Sequence, residues 1–157
     1  MTYRGGAALA WQADYAQFYL VDGDDAGFRA PEDITPLMMT SRWHALPSGL
    51  VVYTNDCLQQ VIDIGIFSAE PPVESQEWRS QRPWTQIELA QAAFPSCRFA
   101  VSSPSKAGTE SYGPVFRLDS PNVAIRIMWM EHEGDRYDTA GVQPDVIRLE
   151  LWPKLGS

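Results

Sequence analysis

Residues 49–68, GLVVYTNDCLQQVIDIGIFS, hold two runs rich in β-branched side chains on either side of the polar pair Asn55-Asp56. Val51, Val52 and Tyr53 make the first run; Val61, Ile62, Ile64, Ile66 and Phe67 make the second. Val and Ile are stiff at χ1 and suit a pleated surface better than a helix, so the stretch predicts two strands joined as a hairpin. In the second strand Ile62, Ile64 and Ile66 fall on one side and Val61 and Phe67 on the other, the pattern of a central strand covered on both faces. Asp63 shares a side with Val61 and, if buried, needs a partner there.

The same period-2 reading extends along the chain. Residues 14–21, DYAQFYLV, put Ala16, Phe18 and Leu20 on a wholly apolar face. Residues 28–48 contain three prolines and no sustained period, with room for one short helical turn within 32–39 and Trp43 as a packing anchor. A polar, proline-started connection follows at 69–81, then a strand at 84–90 with one solvated face, and another at 97–103 with Cys97, Phe99 and Val101 together. Strands at 114–119 and 122–130 are joined through Ser120-Pro121-Asn122, which has turn chemistry. The second of them alternates most clearly, with Val123, Ile125, Ile127 and Trp129 against Ala124, Arg126, Met128 and Met130, the arginine marking the wetter face. A final edge strand at 145–152 turns Ile147, Leu149 and Leu151 inward and Arg148 and Glu150 outward. The expectation is an all-β fold, an antiparallel β-sandwich of seven or eight strands with little helix. It fills one domain over residues 1–157, with residues 1–12 flexible.

A chain of 157 residues buries roughly 70% of its unfolded surface and needs no staple. Six each of Trp, Tyr and Phe supply the core, and 12 prolines with 11 glycines suit short strands and turns. Cys57 and Cys97 lack metal-ligand spacing and read as buried free thiols; a bridge between them would need their Cα atoms within about 7 Å. The longest apolar run near the N-terminus, at 7–11, is shorter than the 7–15 residues or so of a signal-peptide core. No run approaches the roughly 18 apolar residues of a membrane span. A cytoplasmic protein with no membrane partner is expected.

The net charge of −8 is uneven: residues 1–97 hold 12 acids against 5 bases, residues 98–157 hold 8 against 7. Such a surface repels phosphate backbones, which disfavours nucleic acid as a ligand. It attracts a basic protein instead. Asp22, Asp24, Asp25, Glu32 and Asp33 are the candidate binding residues on this acidic face. As a calcium loop starting at Asp22, the sequence fails at its fifth position (Ala26) and at its twelfth, which is Asp33 where a bidentate Glu belongs. A second acidic loop, with Glu131, His132, Glu133, Asp135 and Asp138, reads as a solvated sheet-edge guard. Ser103 and Lys106 have Ser-x-x-Lys spacing but enclose a proline and lack the partner motifs. No cofactor, metal or catalytic residue is expected, and the chain reads as a non-enzyme.

Tyr15-Ala16-Gln17-Phe18, the 50–67 stretch, Phe116-Arg117-Leu118-Asp119-Ser120-Pro121 and residues 123–129 together resemble the competence protein J family, small bacterial inhibitors of a competence-associated nuclease. The resemblance covers about residues 14–129 and rests on strand pattern and a few aromatics. It carries over no functional residue, and implies a binding protein that occludes a partner enzyme. Composition and resemblance thus converge on an acidic inhibitor or immunity-type partner of a basic protein such as a nuclease. The alternative is a lectin-like or C2-like sandwich that binds carbohydrate through Trp43, Trp78 or Trp84, or calcium through its acidic loops. Oligomeric state is not encoded in any of these features.

Overall fold

Two five-stranded sheets stack face to face in the computed structural model, which describes residues 2–12, 14–24, 28, 30–54, 59–73, 83–104, 113–131 and 145–155. In chain order the elements are β1 (Tyr3–Gln12), β2 (Gln17–Asp22), α1 (Pro36–Ser41), β3 (Trp43–Leu46), β4 (Gly49–Tyr53), β5 (Gln59–Phe67), β6 (Gln86–Ala93), β7 (Arg98–Ser102), β8 (Val115–Arg117), β9 (Asn122–Met130) and β10 (Val146–Pro153). The first sheet runs β1-β5-β10-β9-β6 and the second β3-β4-β2-β7-β8. Every pair is antiparallel except β5 with β10. The all-β sandwich with little helix is as the sequence indicates.

Between the sheets lies one apolar core. The first sheet contributes the inward alternates Ile62, Ile64 and Ile66, Ile125 and Ile127, and Leu149 and Leu151; the second answers with Phe18, Leu20, Leu50, Val52, Phe99 and Val101. Aromatic rings seal the end near β8, where Phe99 stacks on Phe116 at 5.0 Å between centroids.

Connectivity departs from the sequence reading in several places. β4 and β5 are not a hairpin: β4 pairs with β2 and β3, whereas β5 pairs with β1 and β10 in the other sheet. The same holds for β8 and β9, whose short connection crosses between sheets. Turn residues permit a reversal but do not say in which sheet the chain continues. β10 is no edge; it lies between β5 and β9. Residues 14–16 form a 3-10 turn with Tyr15 and Ala16 at positive φ (54° and 55°), so β2 begins at Gln17. Residues 3–12 form β1, paired with β5 from Tyr3↔Phe67 to Gln12↔Gln59 with a bulge between Tyr3 and Gly5. β6 begins at Gln86 and turns its apolar alternates out: Ile87 and Leu89 are 46% and 62% exposed, while Ala90 and Ala92 face the core.

Over β5, β9 and β10 the outer face of the first sheet is not wet. Arg126, Arg148, Glu150 and Asp63 are all buried on it. Arg126 Nη1 donates to Glu150 Oε1 at 2.7 Å, Arg148 Nε donates to Glu150 Oε2 at 3.3 Å, and Arg148 Nη1 donates to Asp63 Oδ2. The chain after β5 folds back over the cluster, so that Arg126 Nη2 reaches Glu70 Oε1 at 3.1 Å and the Pro71 carbonyl at 3.0 Å. The Arg126 guanidinium also lies 5.3 Å from the Trp152 ring centroid. Asp63 thus has the partner its burial requires.

Two substitutions separate core packing from charge pairing. Ile64→Ala is expected to lower unfolding free energy by about 2–5 kcal/mol in a urea titration, through lost transfer energy and a residual cavity. Glu150→Gln keeps the volume but leaves two buried guanidinium groups short of a carboxylate, and is expected to cost about 3–5 kcal/mol in the same titration.

Candidate interaction surface

The acidic residues singled out from sequence occupy different environments. β2 ends at Asp22, which is only 5% exposed. Its Oδ1 accepts from the Ser96 N–H at 2.9 Å and the Ser96 hydroxyl at 2.8 Å, and its Oδ2 accepts from the Asp24 N–H at 3.0 Å. With Gly23 N–H donating to the Arg98 carbonyl at 2.9 Å, the carboxylate fastens the β2 turn to the approach of β7. A side chain held in this way follows from the Asx geometry that Asp favours in turns. Asp24 stands beside it at the surface and pairs with Arg98 at 2.7 Å, both side chains being substantially exposed. Such a pair contributes little to stability and can exchange partners. Glu32 and Asp33 are exposed on the approach to α1. Asp25 lies outside the described residues.

α1 is a short, well-capped element. Thr35 Oγ1 accepts from Met38 N–H at 3.2 Å, Pro36 opens the helix, and the left-handed Arg42 (φ 65°) closes it by donating its N–H to the Met38 carbonyl at 2.8 Å. Pro suits the first turn, where its missing N–H is not needed. Met38 is buried with Tyr19, Val21, Phe28, Val51 and Tyr53 in a second apolar cluster, on the outer face of the second sheet. One buried methionine therefore pins the helix while its neighbours project outward: Ile34, Leu37 and Met39 are 45%, 76% and 68% exposed. Three exposed apolar side chains thus lie next to the exposed Glu32 and Asp33.

Behind α1 the Arg42 guanidinium rests 4.8 Å from the Trp129 ring centroid, and Trp129 Nε1 donates to the Tyr53 carbonyl at 3.0 Å. Desolvation lowers the Arg42 pKa, and the nearby Glu131 and Asp145 carboxylates push it back up. These residues come from four separate stretches, and no local pattern announces them. Trp43 and Trp84 are half-buried, and Trp78 lies outside the described residues. Cys97 is a half-buried free thiol, and Cys57 lies outside. Among the described residues no three His, Cys, Asp or Glu side chains gather as a metal ion would require. Most of the second acidic loop, residues 132–144, and Lys106 fall outside them too.

No family model and no curated protein matches this chain. Two solved structures do. One is ComJ, inhibitor of the DNA-degrading activity of NucA, from Bacillus subtilis: TM-score 0.64 at 10% identity, over 98% of both chains. The other is the crocagin biosynthetic gene J product, with TM-score 0.58 at 13% identity over 98% of this chain and 99% of that one. The chain shares a fold with ComJ from end to end. At such identities the likeness is one of fold, in agreement with the resemblance read from strand pattern.

The cluster beneath α1 gives a pH signature. Burial, aided by Tyr53, pushes the Tyr19 hydroxyl up to about 12 from its ordinary 10.0; burial also raises Tyr53. Above about pH 10 the unfolded chain releases a proton that the folded chain keeps, so stability falls as pH rises toward 12 and is fully present below 10. Denaturation midpoints measured from pH 8 to about 12 should fall over the upper part of that range, and Tyr19→Phe should flatten the fall.

Proposed function

We propose that this chain is a non-enzymatic binding protein that masks a basic surface on a partner, as an inhibitor or immunity-type protein does for a nuclease. The observation that carries the reading is the end-to-end fold match with ComJ, an inhibitor of a nuclease's DNA-degrading activity. The net charge of −8 supports it. A nuclease presents Lys and Arg to bind phosphates; carboxylates at the same positions compete with the nucleic acid and cover the site. Asp24, Glu32 and Asp33 are exposed for this purpose, and Ile34, Leu37 and Met39 can bury apolar area beside them. On this reading Asp22 holds the turn and does not meet the partner. The reading places the protein in the cytoplasm, with neither nucleic acid nor membrane as its ligand.

The test is a DNA-degradation assay with a basic nuclease, NucA or one encoded beside this gene, titrated with the purified protein over a salt series. Saturable inhibition is expected, weakening about tenfold or more between 50 and 500 mM salt as screening grows. Glu32→Lys with Asp33→Lys should weaken it further. Inhibition indifferent to salt would remove the electrostatic mechanism. DNA cleavage or carbohydrate binding by the protein itself, without inhibition of either nuclease, would overturn the reading.

A further inference from the structure

Among the described residues four strands lie at sheet edges, and three of them are guarded. β3 and β8 are four and three residues long. β1 is interrupted by a bulge between Tyr3 and Gly5, and Arg4 on it pairs with Asp119 at 3.1 Å, just past β8. Its far end is closed by Trp11, which packs so tightly on Gly113 that a Cβ there would sit 2.9 Å from the ring. Short length, bulges and charged side chains are the usual devices against unwanted pairing.

β6 has neither short length nor a bulge, and its one charged side chain is Glu88. It runs eight residues, Gln86–Ala93, without lysine, arginine, proline or bulge, and among the described residues its backbone pairs with β9 alone. Its outward alternates Ile87 and Leu89 are exposed. On the other side Glu88 is half-buried, and its carboxylate makes no ion pair or hydrogen bond with the described residues. On β3, which lies beside β6 in the other sheet, the indole N–H of Trp43 is buried without an acceptor among them. Glu70 adds a second carboxylate: it is 63% exposed and held by Arg126, the register partner of Leu89. Gln86 Nε2 donates to the Thr40 carbonyl at 2.9 Å, so the edge continues the α1 surface described above.

We infer that the open edge of β6 accepts an extended segment of the basic partner as a sixth strand of the first sheet. Main-chain hydrogen bonds supply the attachment, apolar side chains cover Ile87 and Leu89, and a Lys or Arg meets Glu88. The unpaired carboxylate selects this occupant over a second copy of the chain. Two copies joined through β6 would bring a charge of −8 toward its equal and leave each Glu88 without a cation. The inference rests on the proposed function and names the surface through which it acts.

A capped ten-residue peptide alternating Lys and Val serves as the probe, with a Glu/Val peptide as control, read by fluorescence anisotropy and by hydrogen exchange. The Lys/Val peptide should bind and protect the amides of residues 86–93, and the control should not. Leu89→Lys and Glu88→Lys, both at positions not fully buried, should each weaken binding about tenfold or more, with melting temperatures showing that the fold is intact. The same variants should lose nuclease inhibition. No binding of the Lys/Val peptide, or protection elsewhere, overturns the edge assignment. So does a dimer with residues 86–93 protected in the absence of peptide. Undiminished nuclease inhibition by the two variants also overturns it while the proposed function stands. Peptide protection of β6 without inhibition by the native protein leaves the edge in place and removes the nuclease reading.

Discussion

The ion network on the outer face of the first sheet sets where β10 can lie. Buried charges carry a large desolvation penalty, so each must be met by an opposite charge or a hydrogen bond. Arg148 stands opposite Asp63 on β5, and Glu150 stands opposite Arg126 on β9. β10 is thus charge-matched to both neighbours, one parallel and one antiparallel. A slip of one residue would exchange the faces of the strand, sending Arg148 and Glu150 into the core and Leu149 and Leu151 out. Gly65 sits opposite Glu150 and leaves space beside the network: a Cβ there would stand 2.9 Å from the Phe67 ring and 3.7 Å from Arg148 Nη2. The network therefore specifies register and neighbours at least as much as it adds stability.

This explains why most strands were legible in the sequence and strand order was not. Alternation is local, and the inward faces of β9 and β10 follow it residue for residue. Whether the opposite face is covered depends on chain elsewhere, and nothing near Arg126 or Glu150 in sequence forecasts that residues 70 and 71 will cross over them. β1 was illegible for another reason. Its glycines and alanines are weak strand formers, and it forms because β5 offers a complete edge to pair with. The small residues that hide β1 from propensity also let it approach, since a Cβ on Gly6 would collide with the Ile64 carbonyl.

The acidic residues show the same limit at the level of chemistry. Asp22 and Glu32 look alike in a string of letters, but Ser96 consumes the first and solvent surrounds the second. Net charge was readable because it is a sum, and its division into structural and available carboxylates was not, because that depends on contacts 74 residues away in sequence. β6 illustrates the converse. Its alternation was visible, yet an exposed Ile87 and Leu89 mean something only once the strand is known to be an edge.

The two sides of the sandwich differ in a way that bears on partner choice. On the β1 and β8 side, Arg4 with Asp119 and Trp11 with Gly113 close the seam. On the β3 and β6 side a cleft lined by Ala45, Leu46, Gln91, Ala92, Asn122 and Lys154 remains between the sheets. Diffuse negative charge acts at a distance, raising the encounter rate with any basic protein but discriminating poorly among them. An edge strand acts only at contact and requires a segment that is extended, alternately apolar and correctly charged. Rate and selectivity would then arise from different features of one molecule. Salt should change mainly the association rate, whereas substitutions on β6 should change mainly dissociation.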